Sequence, residues 1–371
     1  MIYMTQCRTT CTTDTTLIDD IPYPQRAHIL PHTYRRAKAG LKYPPHVLIE
    51  SLIDDELRSY VADNPVKGKT GFIFAAGNQG WMNSNGRYDK NPDAQLHYKV
   101  KVPFIVLTNI YAGRIASMFG VHDHVSTDAS ACASSLHVLM NMQTLLDNHG
   151  FDRVIVFSGE DVNNFILESF GEAGASLQHE DELMFKRKPS AFDDQNQGFL
   201  VGQGAVVAIF EKEHPGMADP LAKFLGAYSS AEASTNPLGQ RQDGSGFSKA
   251  IEGALFISKA HKNDIRLVKT HGTGTPVNNA AEKSALLGSL NEFVATSYKP
   301  RIGHTMGASG LLETGLLLRD LQNGYVPKIL NRTQDDPVFL SSDAPIPEGI
   351  MLSLAAGMGN IYSAALFSRE I

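Results

Sequence analysis

Apolar stretches of strand length alternate with helix-period segments along most of this chain, and that alternation restricts its fold more than any other feature. From Thr70, "TGFIFAAGNQG" reads as a strand ending in Gly77 and Gly80, and "VPFIVLTNIYAGRIASMFG" as a helix closed by Gly120. The polar "HVSTDASA", a helix over 132–148 stopped by Gly150 and the strand "RVIVFSG" follow, and the glycine-punctuated "QGFLVGQG" leads into the strand "GAVVAIFE". The second half repeats this texture. "IRLVKTHGTGTP" is a strand feeding a Gly-Thr loop, with a helix from about Asn279. "KPRIGHTMGASGLLETGLLLRDLQNG" is a loop opening into a helix that Gly324 closes, and "GIMLSLAAGMGNIYSAALFS" is a pair of strands around a glycine turn. Such alternation predicts α/β layers with buried sheets. The similar halves suggest a duplicated unit, 1–212 and 213–371, with "EKEHPGMADPL" as the seam.

Composition narrows the setting. The 371 residues are 42% hydrophobic and 19% charged, ordinary for a packed globular chain and unlike a disordered one. A net charge of -6 gives no basic field for nucleic acid. No apolar run approaches the roughly 20 residues that cross a bilayer. The opening "MIYMTQCRTTCTTDTTLIDD" lacks the basic and apolar regions of a secretory signal, so a reducing, cytoplasmic location is expected. The chain's three cysteines do not form a disulfide framework, and Cys7 and Cys11 are expected to be surface thiols. Residues 1–66 are polar and proline-interrupted apart from "PHVLIESLIDDELRSYV", which reads as one amphipathic helix.

The third cysteine, Cys132, sits between alanines where small polar residues give way to an amphipathic helix. On a 3.6-residue period Leu136, Leu139, Gln143 and Leu146 share a face, flanked by Val138, Met142 and Leu145. A thiol in the first turn faces unpaired N–H groups and the positive end of the helix dipole, both of which favour the nucleophilic thiolate. Taken alone, the same stretch favours a structural cysteine in a packed helix over a nucleophile. Two further loops bear on the choice. "THGTGTP" places His271 at a strand end, and "IGHTMGASG" places His304 before a small-residue helix start, with Lys299 and Arg301 upstream.

One cysteine and two loop histidines admit three chemistries. Zinc binding would want a close CxxC or HxxxH pair around these residues, and none of Cys132, His271 and His304 has such a partner, so no metal is expected. A cysteine protease would pair the thiol with one histidine and an Asn or Asp. Acyl transfer with carbon–carbon bond formation needs a thiol for the acyl group and two donors at a thioester carbonyl.

"SACASS" at Cys132, "HGTGTP" at His271 and "IGHTMGASG" at His304, in this order, resemble the β-ketoacyl-acyl carrier protein synthases. "FDDQNQGFLVGQGA" is similar to that family's central segment, and "GMGNIYSAALF" to its C-terminal turn and strand. The likeness runs from about residue 70 to the end and fits the elongating, two-histidine branch. It implies a thiolase-like fold, two similar α/β halves stacked as five layers. It also implies a β-ketoacyl synthase: acyl transfer to Cys132, then decarboxylative Claisen condensation with malonyl-acyl carrier protein, in fatty-acid-like or polyketide-like biosynthesis. His271 and His304 would hold the enolate. The backbone N–H groups of Cys132 and Met358 would form the oxyanion hole. Thr273 and Thr275 would bind the pantetheine arm alongside Met358. Lys299 matches the family's lysine and Glu282 its buried acidic partner.

The same resemblance implies no cofactor, since substrates ride on the phosphopantetheine of acyl carrier protein. The expected partners are that carrier and a second copy of the chain, or a related subunit in a heterodimer. Alternatives are a chain-length subunit or a non-elongating acyltransferase or decarboxylase. Arg35, Arg36 and Lys38 are candidates for docking the acidic carrier, with "FKRK" at 185–188 as a second candidate. Several positions depart from the family pattern: Asn278 and Asn279 for Gly-Asp, Asn196-Gln197 for an Arg-Asp pair, Gln203 for a glutamate, Met358 for a gating phenylalanine and Asn360 for a glycine. The family's opening strand has no clear counterpart in the sequence.

Overall fold

The structure, a computed structural model, describes residues 1–11, 53–77, 108–160, 170–171, 176, 189–195, 198–202, 204–236 and 239–369. Its strands are β1 (Ile2–Cys11), β2 (Lys69–Ala75), β3 (His124–Asp128), β4 (Phe151–Glu160), β5 (Gly204–Lys212), β6 (Ala222–Ala231), β7 (Ile265–Lys269), β8 (Val294–Thr296), β9 (Ile350–Gly357) and β10 (Ile361–Ser368). They form one hydrogen-bonded sheet in the order β3-β2-β4-β5-β1-β6-β10-β9-β7-β8.

That order is one five-strand pattern used twice. In the first half β2 runs parallel to β3 and β4, β4 is antiparallel to β5, and β5 to β1. In the second, β7 runs parallel to β8 and β9, β9 is antiparallel to β10, and β10 to β6. The halves meet where β1 pairs with β6, Ile2 opposite Phe224 and Met4 opposite Ala222. β1 corrects two expectations. An opening strand exists, disguised in sequence by its threonines, and Thr5 within it donates to the buried Glu211 at 2.5 Å. Cys7 is no surface thiol: it packs against the central core, and burial pushes its pKa up to about 12.

Side chains alternate across the strands, so each half has two apolar faces. Phe72 and Phe74 of β2 face an outer cluster with helices α1 (Asp55–Asp63) and α2 (Thr108–Met118), whereas Ile73 and Ala75 face the centre. In the second half Leu352 and Leu354 of β9 join the outer cluster containing α4 (Ser245–Ser258) and α5 (Pro276–Ser289). Between the halves lie α3 (Ser134–Asn148) and α7 (Ser309–Gln322), which touch strands of both. The result is five layers, α-β-α-β-α. Leu311, Leu312, Leu316, Leu317, Leu318 and Leu321 of α7 are all buried, at roughly 1.5–3 kcal/mol each. The crossing of α3 and α7 depends on Gly310, where a Cβ would stand 2.6 Å from Leu136. Of the expected N-terminal amphipathic helix, the described part begins at Asp55, capped by Asp54 accepting the Leu57 N–H at 2.8 Å.

Candidate active site

The two central helices begin in the same unusual way. β3 ends at Asp128, and a short 3-10 turn, Ala131–Ala133, delivers the chain into α3. Ala131 there has φ 47, a left-handed conformation that costs a non-glycine residue of order 1–3 kcal/mol. Ser134 holds the turn: its Oγ accepts the Ser130 N–H at 2.8 Å and lies 2.6 Å from the Ala131 carbonyl and 3.1 Å from that of Ala76. Cys132 sits on this elbow at the helix start, 7% exposed, in an apolar pocket with Phe199, Val201 and Met306. The second elbow, Met306–Ala308 with φ 45 at Met306, feeds α7 and touches the first. Ser135 Oγ accepts the Leu311 N–H at 3.0 Å and ties the two helix starts together.

His271 follows β7 on a loop bent by Gly272 and Gly274, both at positive φ. Glu282 of α5 clamps this loop by accepting the His271 N–H at 2.5 Å, the Gly272 N–H at 2.9 Å and the Asn278 side chain at 3.0 Å. His304 follows the short helix α6 (Lys299–Ile302) and is laced to residues 200–202. Its N–H donates to Leu200 O at 2.7 Å, and its carbonyl accepts from Gly202 at 2.9 Å. Its Nδ1 lies 2.8 Å from Ser309 Oγ, and its ring stands edge-on to Phe199, 4.8 Å between centroids. The two imidazoles face each other at 5.6 Å with planes 84° apart. Phe199 therefore links the cysteine pocket to the histidine pair.

Both rings are held well below the usual histidine pKa, by burial first, then by Lys299 and Lys269, with His304 adding to the effect on His271. They are neutral at neutral pH. Each offers one ring N–H, and a proton from the Ser309 hydroxyl on His304 Nδ1 would leave Nε2 as the donor. His271 Nδ1 is buried and bonded to no group among the described residues.

Lys299 is also at the site, but its partner corrects the expectation. Its Nζ donates to Glu313 Oε1 of α7 at 2.8 Å, while Glu282 serves the His271 loop backbone. Glu313 carries a second lysine: Lys269 Nζ lies 3.3 Å from Oε2 and donates to Leu354 O at 2.6 Å. All three are buried. Burial pushes Glu282 above the usual carboxylate pKa and brings Lys269 down to about 8. Sequence reasoning missed both Lys269 and Glu313. The visible hint was a charge set inside each apolar run, "IRLVK" and "GLLETGLLL".

The β9–β10 hairpin closes the site. Gly357 lies so near the cysteine elbow that a Cβ on it would stand 2.4 Å from Ser130 O and 3.3 Å from Cys132 N. Met358 follows directly on this close approach and is 41% exposed. Thr273 and Thr275 bond to each other through their hydroxyls at 3.0 Å. Three departures from the family pattern have structural uses. Asn278 supports Glu282, Asn279 accepts the Phe192 N–H at 3.2 Å, and Asn360 occupies φ 60, which asparagine tolerates, while donating to Asn236 O at 2.9 Å. Arg35, Arg36, Lys38, the 185–188 run, Asn196, Gln197 and Gln203 lie outside the described residues.

Residues 48–215 match the family model "Beta-ketoacyl synthase, N-terminal domain", and residues 221–333 match "Beta-ketoacyl synthase, C-terminal domain". The chain is 26% identical over 272 residues to the mitochondrial 3-oxoacyl-[acyl-carrier-protein] synthase of Arabidopsis thaliana, covering 69% of this chain and 58% of that protein. It is 25% identical over 269 residues to a putative polyketide beta-ketoacyl synthase 1 of Streptomyces cyaneus, covering 69% and 63%. The chain thus spans less than two thirds of the length of these curated relatives. Two solved structures share the fold. The ishigamide ketosynthase/chain length factor aligns with TM-score 0.78 at 16% identity, covering 99% of this chain and 98% of that one. A type II polyketide synthase acyl-carrier protein in complex with its hexaketide-bound ketosynthase aligns with TM-score 0.73 at 18% identity, again covering 99% and 98%.

Proposed function

Because the chain belongs to the β-ketoacyl synthase family, we propose that it condenses carrier-bound acyl units through Cys132, His271 and His304. The observation that carries this is the pair of buried, neutral imidazoles facing each other beside the elbow cysteine. Cys132 attacks an acyl thioester; the bond to the carrier sulfur breaks, and the departing carrier thiolate takes the Cys132 proton. In the malonyl thioester that follows, the bond to the carboxylate breaks and carbon dioxide leaves with its electron pair behind. The enolate oxygen so formed accepts N–H donation from both histidines. Its α-carbon attacks the acyl carbonyl, whose oxyanion is held by the backbone N–H groups of Cys132 and Met358. Collapse breaks the bond to Sγ, which leaves as a thiolate and regains its proton from solvent, and a β-ketoacyl chain extended by two carbons remains on the carrier. Charged imidazoles would protonate the enolate, so neutrality is part of the chemistry.

The proposed partner is acyl carrier protein, docked on the basic Arg35, Arg36 and Lys38; charge reversal at Arg35 and Arg36 raises the KM for carrier-bound substrate under this scheme. A second copy or a related subunit would complete the assembly. β3 supports this: among the described residues it is one of the two edges of the sheet, and its Val125 is 42% exposed. Among the described residues no helix is long and apolar enough to cross a membrane, and a cytoplasmic location is proposed.

Product analysis tests the function. With acyl- and malonyl-carrier protein the chain should yield β-ketoacyl-carrier protein, and Cys132→Ala should yield none. Malonyl decarboxylation without elongation would assign a decarboxylase, and absence of both reactions a partner subunit.

A further inference from the structure

Beneath the histidine pair lies a charge arrangement that the condensation scheme does not use. Lys269 ends β7, two residues before His271. Lys299 opens the helix before His304, and both ammonium groups converge on the carboxylate of Glu313 in α7, at 3.3 and 2.8 Å. A buried carboxylate normally balances one cation, and taking each ion out of water costs several kcal/mol. A second buried lysine here is therefore an expense the fold alone does not require, since a neutral donor would serve Leu354 O as well. The other carboxylate facing Lys269, Glu282, is turned to the backbone of His271 and Gly272 and to Asn278. Among the described residues, the other titratable groups that face Lys269 are the two imidazoles themselves.

The geometry points to Lys269 as a positioning residue: Lys269, Glu313 and Lys299 form a sealed cluster of two ammonium groups on one carboxylate, whose surplus positive charge adds to burial in holding His271 and His304 as neutral N–H donors. A nearby cation disfavours imidazolium, so the sign is right for both rings. Lys269 touches no substrate in this account; it acts through the histidines and through the clasp on Lys299. Its placement at the end of β7 also makes the strand that presents His271 rigidly continuous with the cluster. Only the consequence for rate rests on the condensation scheme; the charge assignment itself does not.

Imidazole titration by NMR of histidine-labelled full-length protein tests it, the two rings being assigned from His271→Asn and His304→Asn. In Lys269→Gln, which keeps a donor for Leu354 O but removes the charge, both midpoints should rise by about one pH unit, a tenfold gain in proton affinity. Lys269→Met should behave alike. Lys269→Arg, which keeps the charge, should titrate as the parent does, and the acid limb of malonyl decarboxylation should move up in step with the rings. Unmoved midpoints in folded Lys269→Gln, or an equal rise in Lys269→Arg, overturn the assignment. A parent protein with low midpoints but no condensation would remove the proposed function and leave this assignment standing.

Discussion

His271 and His304 stand ring to ring, 5.6 Å apart and nearly perpendicular, though they come from loops after different strands and helices. One group could meet both ring N–H bonds only from the space in front of the pair, which suits a single enolate oxygen. Replacing either ring by a side chain without an aromatic N–H should spare the acylation of Cys132 and cripple decarboxylation. His304→Ala should lower carbon dioxide release by about 10²–10³-fold, the usual cost of an oxyanion donor. Intact mass of the acyl-enzyme and carbon dioxide release, measured on one preparation, separate the two steps.

The same burial that keeps the imidazoles neutral makes the fold sensitive to acid. Unfolded histidines titrate near about 6.5, whereas these two are held well below it. Between the folded and unfolded values the unfolded chain binds more protons. Their contribution is therefore complete above about 6.5 and is lost as pH falls below it, at up to about 2.7 kcal/mol per pH unit for two rings. Glu282, raised by burial, acts in the opposite sense, so the comparison must be with a variant. Urea unfolding at pH 7.5 and 5.5 should show a smaller acid loss for His304→Gln than for the parent.

Glu313 serves two lysines, and that fixes an order of damage. Lys299→Met leaves Glu313 paired with Lys269, whereas Glu313→Leu strands two buried ammonium groups. Breaking a buried pair by removing one partner costs about 3–5 kcal/mol. Glu313→Leu should reach or exceed that range, and Lys299→Met should fall below it. Denaturant midpoints give the order directly, and a more stable Glu313→Leu would remove the cluster from the account.

Gly357 allows the hairpin to lie against the cysteine elbow. Gly357→Ala must push the hairpin from Ser130 O and take the Met358 N–H away from any oxyanion at Cys132. A displacement near 1 Å costs about 10²-fold in rate. The acylation rate of Cys132 should fall on that scale in a chain that still folds, at an overpacking cost of about 1–3 kcal/mol. Equal acylation rates would take Met358 out of the oxyanion hole.

The sequence displays those parts of this site that are local. Cys132 at a helix start and the histidines in Gly-rich turns can be read because short contiguous motifs build those elbows and loops. The buried leucines of α3 show in their spacing for the same reason. What was not legible is set by contact between distant segments. Lys299 and Glu282 both looked like site charges, but their partners, Glu313 and a loop backbone, are chosen by how α5, α6 and α7 pack. β1 hid behind threonines because its hydrogen bonds to β5 and β6, rather than apolar alternation, make it a strand. The three-residue β8 is too short to register before β7 stands beside it.

Every step of the proposed condensation depends on Cys132 holding the acyl group. Intact-mass measurement after acyl-carrier protein is added, and again after malonyl-carrier protein follows, tests it directly. One acyl adduct, absent in Cys132→Ala and cleared by malonyl-carrier protein as the β-ketoacyl product appears, is the predicted result. An adduct that persists in Cys132→Ala, or product formed without any adduct, would contradict it.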